Sequence, residues 1–369
     1  NASTNLSFVI STFPAPATGH FRLRGVGILM QDFGVDDIDR DGDNDLFTLS
    51  NGGKLVWLKN DGAMNFSQHT ISPAYNENSI HVGSGDFDGD LVTDFVMSLP
   101  SSGRLFWFEN SANTTFTPHL ITDDAGEVTN LLVYDFDQDS HLDIIATSAN
   151  NETRWYRNSG NGSFTANVVS TSGDDGLFIV DFDKDGDLDF FTADFAIDTI
   201  WWHENNGNMT FSTHKIYKGI DGVNSVSAAD IDQDSDLDVV ATGWHSNKTI
   251  WLRNDGNGNF AVQSVATLTE KPLNHDVGDI NGDGLPDIAT AIAIDNVIDW
   301  YENTETGGFL KHEIVRHPQN SGVSMKVEMV DFDHDGDIDV LSLKANGWFE
   351  NNSIPQLDSL PSLVIEEDS

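Results

Sequence analysis

Aspartates at alternate positions of a nine-residue stretch are the residues best able to do chemistry in this chain, and they recur seven times. The pattern D-x-D-x-D-G-x-x-D, or a close variant, places Asp37, Asp39, Asp41 and Asp45 in the first stretch, and Asp86, Asp88, Asp90 and Asp94 in the second. Asp135, Asp137, Asp139 and Asp143 form the third, and Asp181, Asp183, Asp185 and Asp189 the fourth. Asp230, Asp232, Asp234 and Asp238 follow, then Asp279, Asn281, Asp283 and Asp287, and last Asp331, Asp333, Asp335 and Asp339. Carboxylates at positions 1, 3 and 5 of a tight turn point inward together, and like charges packed so densely repel unless a cation separates them. Calcium takes six to eight oxygen ligands in flexible geometry, whereas magnesium prefers octahedral sites that keep several waters. A main-chain carbonyl near position 7 and the Asp at position 9 can complete such a shell. The expectation is up to seven structural calcium ions, whose binding is folding free energy. Glycine at position 6 permits the sharp reversal, so loops one, four, six and seven (Gly42, Gly186, Gly284, Gly336) read as strongest. Ser140 and Ser235 should weaken loops three and five, and loop two is doubtful, with Gly89 at position 4 and Leu91 at position 6.

These loops need elements to hold them. Successive loops begin 49, 49, 46, 49, 49 and 52 residues apart, and a W-x-x-N follows each one, from Trp57-Asn60 to Trp348-Asn351. A Phe opening a short strand follows six of the seven: Phe66, Phe116, Phe164, Phe211, Phe260 and Phe309. Runs of four to seven β-branched and aromatic residues between Gly, Asn, Asp and Ser clusters read as strands, with no helical periodicity. Four strands per unit of this length indicate propeller blades. The fold expected is all-β, a seven-bladed β-propeller of four-stranded antiparallel blades over residues 1–352. The seventh unit lacks its last strand, and Phe8–Thr12 resembles the missing piece, so an N-terminal strand is expected to complete the last blade and remove the open edges. Residues 353–369, with Pro355, Pro361, Glu366, Glu367 and Asp368, read as an acidic linker toward another domain.

Asp181-Phe-Asp-Lys-Asp-Gly-Asp-Leu-Asp189, followed by Ile200-Trp-Trp-His-Glu-Asn205, resembles the FG-GAP/VCBS repeat family. That resemblance spans about residues 6 to 352 and implies the propeller fold and calcium in the loops. It is uninformative about activity, because the scaffold serves adhesion, sugar binding and some polysaccharide-degrading chemistry.

Composition bounds the partners. Sixty acidic against 18 basic side chains give a formal net charge of −42, which disfavours nucleic acid and anionic membrane surfaces. No apolar run is long enough to span a bilayer, and there is no cysteine. A start at Asn1 reads as a processed or excised segment, and the expected location is extracellular or at a cell surface, as a monomeric propeller within a larger chain. The Trp of each W-x-x-N and the recurring His69, His119, His214 and His312 read as structural, because they repeat.

The four strands of a unit are lettered A to D in chain order: A enters the aspartate loop (131–134), B leaves it (143–147), C carries the W-x-x-N and D starts at the Phe (211–216). Function is therefore sought among non-repeating residues on the face opposite the loops, where propeller connectivity puts the D–A and B–C connections. The candidates are His20, Arg22 and Arg24 in the first D–A connection, then Tyr75 and His81, Tyr217, Lys271 and His275, and Arg316 and His317. Trp244 and His245 belong to a B–C connection, and an exposed aromatic beside polar groups suits a sugar. The leading expectation is a calcium-stabilised module binding a glycan or a cell-surface protein. A lyase acting on an acidic polysaccharide is the alternative. His81, His275 or Tyr217 would then abstract the proton α to a uronate carboxylate, with Arg22, Arg24 or Arg316 neutralising that carboxylate. A purely architectural spacer is the third reading. No G-x-S-x-G, H-E-x-x-H, phosphate loop or cysteine nucleophile is present.

Overall fold

The computed structural model describes residues 21–26, 32–50, 53–75, 77, 81–111, 115–268, 271–293, 297–304, 307–316, 326–342 and 347–351. Seven four-stranded antiparallel sheets run in the order A-B-C-D, each built from consecutive strands except the last. Blade five is representative: strand A is Val223–Ala229, B is Asp238–Gly243, C is Lys248–Asn254 and D is Phe260–Thr267. The aspartate loop always joins A to B, and the W-x-x-N asparagine always ends C.

Burial follows from the way blades stack. Strand B is covered on both faces by neighbouring blades, and all six residues of Asp189–Asp194 and of Asp238–Gly243 are buried. Such strands read as continuous apolar runs and show no alternation. Strand D is outermost and leaves most of its side chains in or near water, as in Phe66–Thr70 and Phe116–Thr122. The repeat tryptophans fill the seams: Trp57, Trp107, Trp155, Trp251, Trp300 and Trp348 are all buried. Each is worth roughly 2–3 kcal/mol in apolar area removed from water. The four repeat histidines lie against the tryptophans of their own blades, with ring centroids 4.4 to 4.8 Å apart for His69 on Trp57, His119 on Trp107, His214 on the half-buried Trp202 and His312 on Trp300.

Blade seven closes the ring. Its strands A, B and C are Val327–Val330, Asp339–Ser342 and Gly347–Asn351, and its strand D is Phe21–Gly25. An N-terminal strand does complete the last blade, but it is this one. Phe8–Thr12 lies outside the described residues. Register explains the choice: Phe21 faces Asn351, as Phe66 faces Asn60 and Phe260 faces Asn254. Phe21 is thus the seventh copy of the recurring Phe. The consequence corrects a placement, because Arg22 and Arg24 sit on this outer strand and not in a D–A connection.

Candidate metal centres and the opposite face

All seven aspartate loops fold alike. Position 4 is left-handed in each one: Arg40, Gly89, Gln138, Lys184, Gln233, Gly282 and His334 have φ between 57° and 82°. Position 6 is left-handed too, at Gly42, Leu91, Ser140, Gly186, Ser235, Gly284 and Gly336. In every loop the position 6 amide donates to Oδ2 of the first aspartate, at 2.8 to 3.1 Å. Loop two, doubtful from sequence, has the same closure, with Leu91 held at φ 67° and donating to Asp86 at 2.9 Å. Leucine accepts that strain where glycine would not feel it.

The turns bring carboxylates together. Among the described residues, six groups of three acidic side chains each place one oxygen apiece within 4.8 Å of one another, including Asp37-Asp39-Asp41, Asp86-Asp88-Asp90 and Asp181-Asp183-Asp185. Asp135-Asp137-Asp139 and Asp230-Asp232-Asp234 are two more. Oδ1 atoms of Asp135, Asp137, Asp181, Asp230, Asp232 and Asp333 are buried without any hydrogen-bond donor. Anionic oxygens in that condition are costly, and hard oxygen donors gathered in a tight turn fit a divalent cation. In loop six, Oδ1 of Asn281 accepts from the Asp283 amide at 2.9 Å, so a neutral oxygen takes position 3.

Position 9 does something more. Asp189 is fully buried, and its Oδ1 accepts from the Asn205 amide at 2.7 Å. Its Oδ2 accepts from the Phe182 amide at 3.2 Å and from Trp202 Nε1 at 3.0 Å. The same bond from the W-x-x-N asparagine amide, at 2.7 to 2.8 Å, recurs in all seven blades. Burial pushes these carboxyls up, to about 6 for Asp45, Asp143, Asp189 and Asp238 and to about 7 for Asp94 and Asp287. Asp339 reaches about 8 for the same reason. Position 9 therefore ties the loop to strand C, and in Asp189 only Oδ1, with its single donor, keeps a lone pair for an ion.

Away from the loops, the candidates scatter. His20 and His317 lie outside the described residues. Arg316 ends strand D of blade six. Arg22 is exposed on the closing strand, and Arg24 Nε pairs with Glu350 at 2.6 Å. Tyr75 packs against the first core cluster, its ring 6.0 Å from Phe106. Tyr217 lies in strand D of blade four (Phe211–Lys218), half-buried against apolar neighbours. His81 precedes strand A of blade two, with Nδ1 3.8 Å from Asp32 Oδ2. His275 lies within strand A of blade six (Pro272–Gly278), only 4% exposed, with Nε2 2.8 Å from Ser227 Oγ. Burial lowers its pKa to about 3.

One group does converge. Trp244 and His245 form the B–C turn of blade five, and Lys271, entering blade six, sets its ammonium 4.7 Å from the Trp244 ring centroid. His245 Nδ1 is 3.2 Å from Asp221 Oδ1, both side chains well exposed. Phe195, from the B–C turn of blade four, packs edge-on to the His245 ring at 5.1 Å. Sequence reading found Trp244, His245 and Lys271 but missed Asp221 and Phe195, which carry no motif and meet them only through the turns of adjoining blades.

Fold and loops together define a closed seven-bladed β-propeller whose A–B turns gather carboxylates that could hold cations. The FG-GAP-like repeat pattern matches residues 37–97, 86–146, 135–192, 181–241, 230–290 and 279–342, and the chain belongs to that family. No curated protein matches the chain in sequence. Among solved structures it is similar to BBS1N, crystallised in complex with ARL6DN and soaked with mercury: TM-score 0.60 at 10% identity, covering 89% of this chain and 95% of that one. AofleA from Arthrobotrys oligospora is more distant, with a TM-score of 0.45 at 11% identity, covering 81% and 93% of the two chains. At 10% identity the likeness to BBS1N is one of fold.

Proposed function

We propose that this propeller is a calcium-stabilised extracellular binding module that takes a carbohydrate at the turn cluster of blades four to six. The observation that carries the reading is the meeting of Trp244, Lys271, His245 and Asp221 on turns away from the aspartate loops. An indole face suits the C–H surface of a sugar ring, and the flanking ammonium, imidazole and carboxylate suit its hydroxyls. Lys271 favours a sugar that carries a carboxylate, as in a uronate. Calcium supports the site indirectly by holding the blades in place, and no ion need touch the sugar.

Glycan-array screening, followed by titration of the best oligosaccharide, tests this. Trp244→Ala should weaken binding at least about tenfold, the scale of one aromatic platform, with the circular dichroism spectrum unchanged. Lys271→Ala should weaken acidic sugars more than neutral ones. Failure of every glycan to bind, or full binding by Trp244→Ala, defeats the reading. Release of products absorbing as unsaturated uronates would replace it with the lyase.

A further inference from the structure

The side chain just before the W-x-x-N asparagine differs between blades in a way that bears on the loops. It is Lys59, Glu109, Arg157, Glu204, Arg253, Glu302 and Glu350 in blades one to seven. In blades one, three and five the basic side chain is placed on the aspartate loop of its own blade. Lys59 Nζ pairs with Asp39, and with Asp41 at 3.2 Å. Arg157 reaches Asp137 at 2.6 Å and Asp139 at 3.0 Å. Arg253 pairs with Asp232, and with Asp234 at 3.4 Å. All three contact positions 3 and 5, the same two carboxylates each time.

In blades two, four and six the glutamate turns to the strand D histidine instead. Glu109, Glu204 and Glu302 meet His119, His214 and His312 at 2.8, 2.6 and 2.7 Å. Glu350 meets Arg24 on the closing strand. These four loops receive no cation from that position.

We propose that this residue sorts the loops into two classes: those of blades one, three and five carry their own counter-cation and hold calcium weakly, while those of blades two, four, six and seven depend on the ion. The inference rests on the calcium reading of the loops and deepens it. A bound cation must share or displace the resident ammonium or guanidinium on positions 3 and 5, and like charges at such range repel. Ion affinity in carboxylate loops is set by ligand charge count, so one resident positive charge lowers it by roughly tenfold or more. Weak and strong sites thus alternate around most of the ring. Because three blades keep part of their loop charge compensated without metal, loss of calcium should loosen the ring at the other four first.

Calorimetric titration of calcium into the chelator-stripped full chain reads this directly. The wild type should bind in two phases, the weaker accounting for three ions. The triple variant Lys59→Gln, Arg157→Gln, Arg253→Gln should shift the weaker phase about tenfold toward the tighter one. Lys59→Gln alone should shift one ion, and it separates this effect from position 6, since loops three and five also carry Ser140 and Ser235 whereas loop one has Gly42. The reverse change, Glu204→Arg, should remove one tight ion. Circular dichroism in saturating calcium verifies that the exposed substitutions leave the fold intact. Calcium binding with a single phase in the wild type, or a triple variant with unchanged affinities, overturns the inference and leaves the calcium reading standing. No calcium binding at all overturns both.

Discussion

His203 shows how far a single residue can depart from what its type suggests. It sits on strand C of blade four beside the repeat Trp202, fully buried, with Nε2 3.0 Å from Thr192 Oγ1 and Nδ1 3.1 Å from Thr213 Oγ1. Its ring stacks on Phe190 at 4.2 Å. Burial pushes its pKa from 6.5 down to about 3. The folded protein therefore keeps it neutral while the unfolded chain takes up a proton below pH 6.5. Its contribution is complete above pH 6.5 and falls as the pH drops toward 3, by about 2 kcal/mol at pH 5. Thermal melts in saturating calcium at pH 7.5 and 5 should show a smaller acid loss for His203→Gln than for the wild type. Equal losses would assign the acid sensitivity elsewhere, His275 being the other buried imidazole with its pKa near 3. Residue type hides the burial of both histidines, but repeat register shows it: His203 stands where other blades carry Leu58, Phe108 or Leu252, and His275 where they carry Phe33, Val82 or Val226. The aspartates were legible because they recur. Loop two, doubted because Leu91 stands at position 6, has the same backbone as the others: glycine is the preferred residue there, and the loop holds a strained leucine in its place.

At the scale of elements, the W-x-x-N asparagine explains why strand C and the loop cannot move separately. Asn158 receives Gly160 N–H at 3.1 Å and donates to its own blade at Leu142 O, 3.1 Å away. It also donates across the seam to Phe87 O of blade two at 2.8 Å. Asn303 and Asn351 make the same reach, to Ile231 O and Ile280 O. Asn205 spends its amide within blade four, on Leu188 O at 3.2 Å and on Met209 sulfur at 3.6 Å. Asn158→Ala should cost about 2–3 kcal/mol, because it strands buried groups in two blades, and Asn205→Ala about 1 kcal/mol less. Urea unfolding of the pair gives the comparison, and equal costs would mean that the cross-seam bond adds nothing. The repeat spacing revealed these strands and their order from sequence alone. It could not reveal which asparagines cross a seam, because that depends on how closely each pair of blades approaches.

Closure is the property of the whole molecule that the repeats imply without locating. Phe21–Gly25 precedes the first aspartate loop with alternating side chains, and its register with Gly347–Asn351 makes it the strand that completes blade seven. Among the described residues, that strand is held by five paired residues, the Arg24–Glu350 ion pair, and Phe21 against the cluster of Trp300, Val327 and Phe349. Gly347 faces Gly25 in the register, and a Cβ there would run into the Arg24 carbonyl oxygen, which is backbone and cannot step aside. A Cβ on Gly25 would meet nothing. Gly347→Ala should therefore push the closing strand off its partner at a cost of about 1–3 kcal/mol, the usual range for overpacking, while Gly25→Ala should be near neutral. Release would leave strand C of blade seven as an open edge, which is prone to pair with other chains. Limited trypsin digestion makes the difference visible, since Arg22 and Arg24 lie in the strand itself. Gly347→Ala should be cut there at temperatures where the wild type and Gly25→Ala resist, before the main unfolding transition. Identical cleavage of all three proteins would mean that the ring is held shut by the stacking of its blades, with the terminal strand a passenger.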